Sequence, residues 1–421
     1  MYPIVTSARQ GRTDAGQARA LLSPTGRELL GRLAGADVRP DRVLALSESL
    51  RGEYPADLVA AALTQQSLRF AGRAKFSQAD RMLFTRAGLE QASSELTARQ
   101  AAWRYGDARV LADLCCGIGG NLIALAAARP GLVTIGVDSD CGSLAFARHN
   151  VSECAPGARV AYLCADVRTV RLTGIDAVFI DPARRDERGR LAAGKYLPDL
   201  GWCLRLPDQV QAVGIKAAPG IHRNLVPPGW ETEFVAVGRA LKEALLWSPA
   251  LAGTASRATL LPAGDTLTAR DEAAEATPVA APGAYLFDPN PAVTRAGLVA
   301  QLAGQLAAWQ IDPKIAFLSA DEPRATPFAR TLRVVESAPW HEKKFAARLR
   351  ELQIGSADIR RRGLAGDVAQ IHRRLGLRGP GSAVIVLTRV SDRPWGLICV
   401  PVRPESEDQE SGGRPARGDQ G

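Results

Sequence analysis

The chain has 421 residues, 46% apolar and 23% charged, the proportions of an ordinary globular protein long enough for roughly two to four domains. It contains no run of about 18 uncharged apolar residues that would span a bilayer, and the opening MYPIVTSARQGRTDAGQ lacks an apolar signal core. Those features point to a cytoplasmic protein with no membrane partner. The formal charge of +9 comes from arginine, since only seven of the 53 basic residues are lysines.

Residues 1–105 read as a helical N-terminal domain. SPTGRELLGRLAG opens on a Ser/Thr cap and closes on glycine, and YPADLVAAALTQQSLRFAG and RAGLEQASSELTARQAAWRYG continue the helical spacing. The period changes in residues 106–250, where the runs RVLADLCC, LVTIGVD, RVAYLCAD, DAVFIDP and AVGIKAAP predict buried parallel strands. GGNLIALAAARPG and CGSLAFARHNVSEC predict the intervening helices. In ETEFVAVGRALKEALLWS the gap around Gly238 is too short for a parallel crossover, so its two strands form an antiparallel hairpin. The expected architecture is an α/β, Rossmann-like sheet of parallel strands with an antiparallel last strand.

A hairpin (ATLLPAGDTLTA) and an Ala/Pro/Glu-rich linker occupy residues 251–283. We expect a small α+β, ferredoxin-like domain over 284–340, a basic domain over 341–404 and a disordered tail over 405–421. Residues 341–380 hold ten Lys/Arg against four acids, the local excess that phosphate-backbone binding requires. Arg360, Arg361, Arg362, Arg373 and Arg374 are the candidate contacts; a solvated helix face is the rival reading. The seven cysteines show neither CxxC nor Cys/His spacing, so neither a metal site nor a disulfide framework is expected.

The chemistry concentrates in DLCCGIGGN, residues 113–121, which follows one strand and opens a helix. Gly117 and Gly119 permit a tight turn against which a ligand can lie. A dinucleotide loop would place a third glycine where Leu122 stands, and Asp113 would repel phosphate while attracting an ammonium group. Asp138 ends the second strand 21 residues after Gly117, where an acid takes the hydroxyls of a ribose. Asp166 and Asp181 end the third and fourth strands. Ligands of open α/β sheets bind outside those carboxyl ends.

With these residues in view, segment 109–248 resembles a class I S-adenosylmethionine-dependent methyltransferase. The resemblance implies S-adenosyl-L-methionine as cofactor, with Asp113, Gly117 and Gly119 at its methionine portion, Asp138 at the ribose and Asp166 at the adenine, and Cys115, Asn121, Ser139 and Val167 as further cofactor contacts. DLCCGIGGN is also similar to the glycine loop of guanine-N2 methyltransferases acting on RNA caps. KFSQADRMLFTRAGLEQASS, FIDPARR, YLFDPNPAVTRAGL and IRRRGLAGDVAQIHRRLGLRG extend the likeness, over nearly the whole chain, to bacterial methyltransferases with a C-terminal THUMP-like domain. That likeness implies an RNA substrate.

FIDPARRDERGR, residues 179–190, marks the acceptor side. Enzymes with an (Asp/Asn)-Pro-Pro-(aromatic) turn accept hydrogen bonds from an exocyclic amine and stack its base. Here the turn reads Asp181-Pro182-Ala183-Arg184, so the platform must come from Tyr196, Phe84, Trp202 or the Arg184 guanidinium. Arg185 and Lys216 are further candidate substrate contacts. Methylation of a ring carbon needs a cysteine nucleophile, and the usual positions lack one. The expected reaction is methylation of a base nitrogen in structured RNA. A protein or acidic small-molecule acceptor, and a non-catalytic RNA-binding protein with a vestigial cofactor fold, are the alternatives.

Overall fold

The computed structural model describes residues 15–36, 40–183, 185–186, 189–190, 196–269 and 277–402. The expected tail and Arg184 lie outside them. Two compact units divide the chain after Gly264.

In the first unit, helices α1 (Ala15–Leu22), α2 (Pro24–Arg32), α3 (Pro40–Leu50) and α4 (Ala56–Gly72) come first, followed by α5 (Arg86–Gln91) and α6 (Glu95–Ala102). Serine or threonine caps start three of them: Ser23, Thr85 and Ser94 accept backbone N–H bonds at α2, α5 and α6. The helices do not close on themselves. Their core, with Leu29, Val59, Leu83 and Phe84, also takes in Ile118 from the glycine loop and Phe146 from the helix after the second strand. The predicted boundary at residue 105 is therefore a change of secondary structure inside one packed unit.

Of the sheet's nine strands this unit holds eight: β1 (Val110–Leu114), β2 (Val133–Asp138), β3 (Arg159–Cys164), β4 (Ala177–Ile180), β5 (Ala212–Ala217), β6 (Glu231–Val237), β7 (Ala240–Trp247) and β8 (Ser256–Leu261). Their order is β8-β6-β7-β5-β4-β1-β2-β3. Strands β3, β2, β1, β4 and β5 run parallel, and β7 is antiparallel to both β5 and β6, as the short Gly238 connection requires. Helices α7 (Gly120–Ala127) and α8 (Cys141–Cys154) supply the crossovers flanking β2. All five parallel strands end at one edge, which gathers Asp113, Asp138, Asp166 and Asp181. A buried polar knot anchors the hairpin end: Arg104 and Arg257 bond Glu231, and Gln100, Trp247 and Thr259 bond Glu233.

In the second unit, a seven-stranded sheet runs in the spatial order 309–310, 318–320, 285–289, 329–339, 393–401, 381–390, 354–361. Helices Glu342–Glu351 and Val368–Leu375 cover one face through Phe345, Leu349, Ile371 and Leu375. This corrects the expected division at residue 340. Ala329–Pro339 pairs on one side with Tyr285–Pro289 and on the other with Arg393–Pro401, so a single sheet crosses the proposed boundary. Ile354–Arg361 is a strand that the sequence reading did not anticipate. It lies at the edge, parallel to Gly381–Val390.

Candidate active site

Asp113, the penultimate residue of β1, is 0% exposed, and neither carboxylate oxygen has a hydrogen-bond partner among the described residues. Burial, and then the carboxylates of Asp181 and Asp138, push its pKa well above the usual carboxylate range. After Asp113, the chain turns through Cys115 (φ 62°), Gly117 (φ 54°) and Gly119 (φ 89°), all in the left-handed region. A Cβ on Gly119 would lie 3.2 Å from Ala147 of α8, whereas Gly117 faces open space where a ligand can approach.

Asp138, at the end of β2, accepts from Gly117 N (2.8 Å) and Asp140 N (2.9 Å), which fixes its carboxylate against the loop. Burial raises its pKa. Asn121 opens α7 and reaches the acceptor side, its Nδ2 lying 3.4 Å from Asp181 Oδ2. Asp166 adopts a different state: Arg168 Nε donates to both its oxygens (3.0 and 3.1 Å) and holds its pKa down to about 2. The adjoining Val167 is buried. Ser139 lies between Asp138 and the start of α8.

Asp181 follows β4, and Lys216 Nζ donates to its Oδ2 at 2.6 Å, with the lysine side chain only 8% exposed. The pairing comes from sheet geometry. Ile180 is in register with Ile215, so the next residues of the two strands face each other. Pro182 is buried, and Ala183 exchanges two 2.9 Å backbone bonds with Leu197. Arg185–Asp186 pairs with Gly189–Arg190, giving the segment a short antiparallel ladder. The Arg184 and Arg185 side chains lie outside the described residues.

Of the expected stacking residues, Phe84 is 1% exposed inside the helical core and cannot meet a base. Tyr196 is nearly buried, and its hydroxyl accepts from Ala218 N at 3.0 Å. Trp202 is half-exposed. The described free cysteines offer no activated thiol: burial raises Cys115 and Cys116, and pushes Cys203 to about 12.

Several site residues escaped sequence reasoning. Asn150 of α8 accepts from Leu83 N (2.7 Å) and donates to Leu83 O and Ile118 O (both 2.9 Å), clamping the N-terminal segment to the glycine loop. Lys75 donates to the carbonyls of Leu89, Glu90 and Ala92, shaping the turn whose Gln91 carbonyl lies 3.5 Å from Lys216. Glu243, buried on β7, accepts from Ser93 Oγ (3.2 Å), and burial raises its pKa. A Lys-Glu pair inside the apolar run ALKEALLW was the available signal.

The expected basic contacts of the second unit are partly committed. Arg360 bonds Asp358, Arg361 bonds the Leu364 carbonyl, and Arg362 bonds buried Asp288 while lying 5.0 Å from the Phe317 ring centroid. Arg362 thus has one guanidinium nitrogen committed within the second unit. Arg373 is exposed, as are Lys343 and Lys344, while Arg374 lies 3.8 Å from Glu342.

The sheet order, the glycine turn and the carboxylates gathered at one strand edge define a Rossmann-type site. Two curated Mycobacterium tuberculosis proteins, from strains CDC 1551 / Oshkosh and ATCC 25618 / H37Rv, are 37% identical over 333 residues, 76% of this chain and 89% of each relative. Each is described as an uncharacterized S-adenosylmethionine-dependent methyltransferase. A THUMP domain-like family matches residues 329–401, and a family described only as a domain of unknown function matches 14–72. The fold is shared with a protein from Porphyromonas gingivalis W83 provisionally assigned as a methyltransferase: TM-score 0.73 at 21% identity, covering 89% of this chain and 98% of that one. This chain belongs to the class I S-adenosylmethionine-dependent methyltransferases that carry a C-terminal THUMP-like domain. Its cofactor is S-adenosyl-L-methionine.

Proposed function

We propose that the chain methylates an exocyclic base nitrogen in structured RNA, with Asp181 as the acceptor-side hydrogen-bond acceptor. The observation that carries this is the Lys216–Asp181 pair beside the glycine loop. Lys216 occupies Oδ2 of Asp181, and no donor among the described residues takes Oδ1, which would receive an amine N–H. Exocyclic amines are poor nucleophiles because the ring delocalises their lone pair. An accepted N–H bond turns the amine and raises electron density at nitrogen, and in-line placement about 3 Å from the methyl carbon does most of the rest.

Asp113 would hold the cofactor's ammonium, Gly117 and Gly119 its methionine backbone, Asp138 its ribose hydroxyls, and the Ser139 and Val167 turns its adenine. The cofactor supplies an electrophilic methyl on a sulfonium. Asn121 reaches Asp181 from the start of α7, tying the cofactor loop to the acceptor carboxylate. Thiols held protonated by burial speak against ring-carbon methylation. RNA as partner rests on the THUMP-like match and on the exposed Lys343, Lys344 and Arg373.

The test is a comparison of modified nucleosides in total RNA from a deletion strain, its parent and the strain complemented with Asp181→Ala. We expect one N-methylated nucleoside to vanish on deletion and to stay absent in the Asp181→Ala strain. An unchanged profile would refute the RNA reading, and loss of a C-methylated nucleoside would refute the nitrogen chemistry.

A further inference from the structure

Of the seven cysteines, the five free ones are buried or half-buried, whereas Cys141 and Cys164 are exposed and joined to each other. Their Cα atoms lie 5.4 Å apart, inside the range a disulfide requires. The position of the pair gives it a functional reach. Cys141 is the first residue of the 14-residue helix α8, three residues after Asp138. Cys164 is the last residue of β3, two residues before Asp166, and it stands opposite Asp138 in the parallel register of β2 and β3. The crosslink therefore fastens the turn after β2 to the turn after β3, the two turns between which the proposed reading places the adenosine.

Without the crosslink, backbone and carboxylate bonds hold these turns: Ala165 N to Asp138 O at 2.9 Å, Asp140 N to Asp138 Oδ1 at 2.9 Å, and Ser143 Oγ to Asp140 Oδ2 at 2.7 Å. Only the first of them joins one turn to the other. A covalent tie at the same place narrows the conformations open to the unliganded pocket, so less ordering remains to be done on binding.

We infer that Cys141 and Cys164 are a reversible redox modification site at the adenosine edge of the cofactor pocket, and that the oxidised form binds S-adenosylmethionine more tightly than the dithiol. The oxidant class is a low-molecular-weight disulfide. One cysteine thiolate attacks a sulfur of that disulfide, forming a mixed disulfide and expelling the first small thiol. The second cysteine thiolate then attacks the protein sulfur and expels the second. Two protein thiols lose two protons and two electrons, which leave in two molecules of reduced small thiol. The inference rests on the reading of Asp138 as the ribose carboxylate.

The full-length protein is equilibrated with oxidised or reduced glutathione, free thiols are alkylated, and peptides are mapped by mass spectrometry. Cofactor affinity is measured calorimetrically on both forms of the wild type and on Cys141→Ser/Cys164→Ser. We expect one crosslinked peptide joining Cys141 to Cys164 in the oxidised sample, and both residues alkylated in the reduced one. The oxidised form should bind about three- to tenfold more tightly, and the double variant should match the dithiol in either buffer. Absence of the crosslinked peptide at every glutathione ratio, or equal affinities for the two wild-type forms, would overturn the inference. Crosslinking with no cofactor binding in either form would overturn the site reading instead. The wild-type comparison stands even if the double variant does not fold.

Discussion

Asp113→Asn should raise the stability of the protein while weakening its hold on the cofactor. The wild-type carboxyl is fully buried, neither oxygen has a partner among the described residues, and Asp181 and Asp138 lie close enough to oppose its ionisation. Its folded-state pKa is raised above the unfolded value. Stability is therefore greatest below the ordinary carboxyl range and is lost as pH rises toward the folded pKa, at about 1.4 kcal/mol per pH unit. Asparagine has nearly the same shape and does not titrate. The variant's advantage should be nil in acid and grow with pH; a folded pKa only one unit above the ordinary value already gives about 1.4 kcal/mol, or roughly 3–6 °C in melting temperature. Binding should move the other way. Replacing a charged by a neutral acceptor for the cofactor's ammonium forfeits about 1.5–3 kcal/mol, a roughly 10- to 150-fold rise in Kd. Differential scanning fluorimetry across pH and calorimetry at neutral pH measure both arms. A variant less stable than wild type at neutral pH, a stability difference that ignores pH, or an unchanged Kd would each refute the assignment.

The same carboxyl predicts that cofactor affinity in the wild type falls as pH drops through its raised pKa, because the protonated form cannot pair with an ammonium. Calorimetry in buffers of different ionisation enthalpy should register net proton release on binding. Lys216→Met removes a charged hydrogen bond worth about 1.5–3 kcal/mol, so label transfer to RNA should fall roughly 10- to 150-fold while cofactor Kd shifts less than about threefold. Equal loss of both would place Lys216 in the cofactor site. Asp138→Ala should weaken cofactor binding by about 1–3 kcal/mol. In the full-length protein, Lys343→Ala/Lys344→Ala/Arg373→Ala should weaken RNA binding and flatten the slope of log K against log salt by about 2–3, as filter binding at several salt concentrations would show.

The parallel sheet was readable because a strand covered on both faces must be apolar along its length, and RVLADL, VTIGVD and DAVFI are nearly so. The row of strand-end aspartates followed from those strands. What stayed hidden depends on register. Nothing local to Lys216 says that it meets Asp181; that follows from β5 lying beside β4 with Ile215 opposite Ile180. The Cys141–Cys164 bond, across 23 residues, has the same origin in the β2–β3 register, and the expectation of no disulfide was wrong because it weighed spacing alone. Ile354–Arg361 eluded detection because an edge strand carries charge: Asp358 pairs with Arg330 and Arg360. The division at residue 340 failed for a topological reason, since Ala329–Pro339 pairs with the last strand of the chain.

The charge at the two ends of the proposed reaction explains why the chain keeps its acids and bases in different places. Lys216 pairs with Asp181 and opposes the carboxyls of Asp113 and Glu243. Lys75 lies within electrostatic range of Lys216, so among the described residues this edge carries both signs of charge. On the proposed reading, its carboxylates favour a cofactor with one net positive charge, contributed by an ammonium and a sulfonium against one carboxylate. Methyl transfer removes the sulfonium charge, and the neutral product loses part of that attraction, so these carboxylates favour substrate over product. An acceptor embedded in a polyanion meets the opposite field near this edge. On the proposed RNA reading its phosphates need cations, and the basic excess of residues 341–380 is the candidate source. On this reasoning, reversing charge at Lys343, Lys344 or Arg373 should alter RNA affinity and leave cofactor affinity unchanged. Asp138→Ala should do the converse, and a variant that moved both together would break the separation.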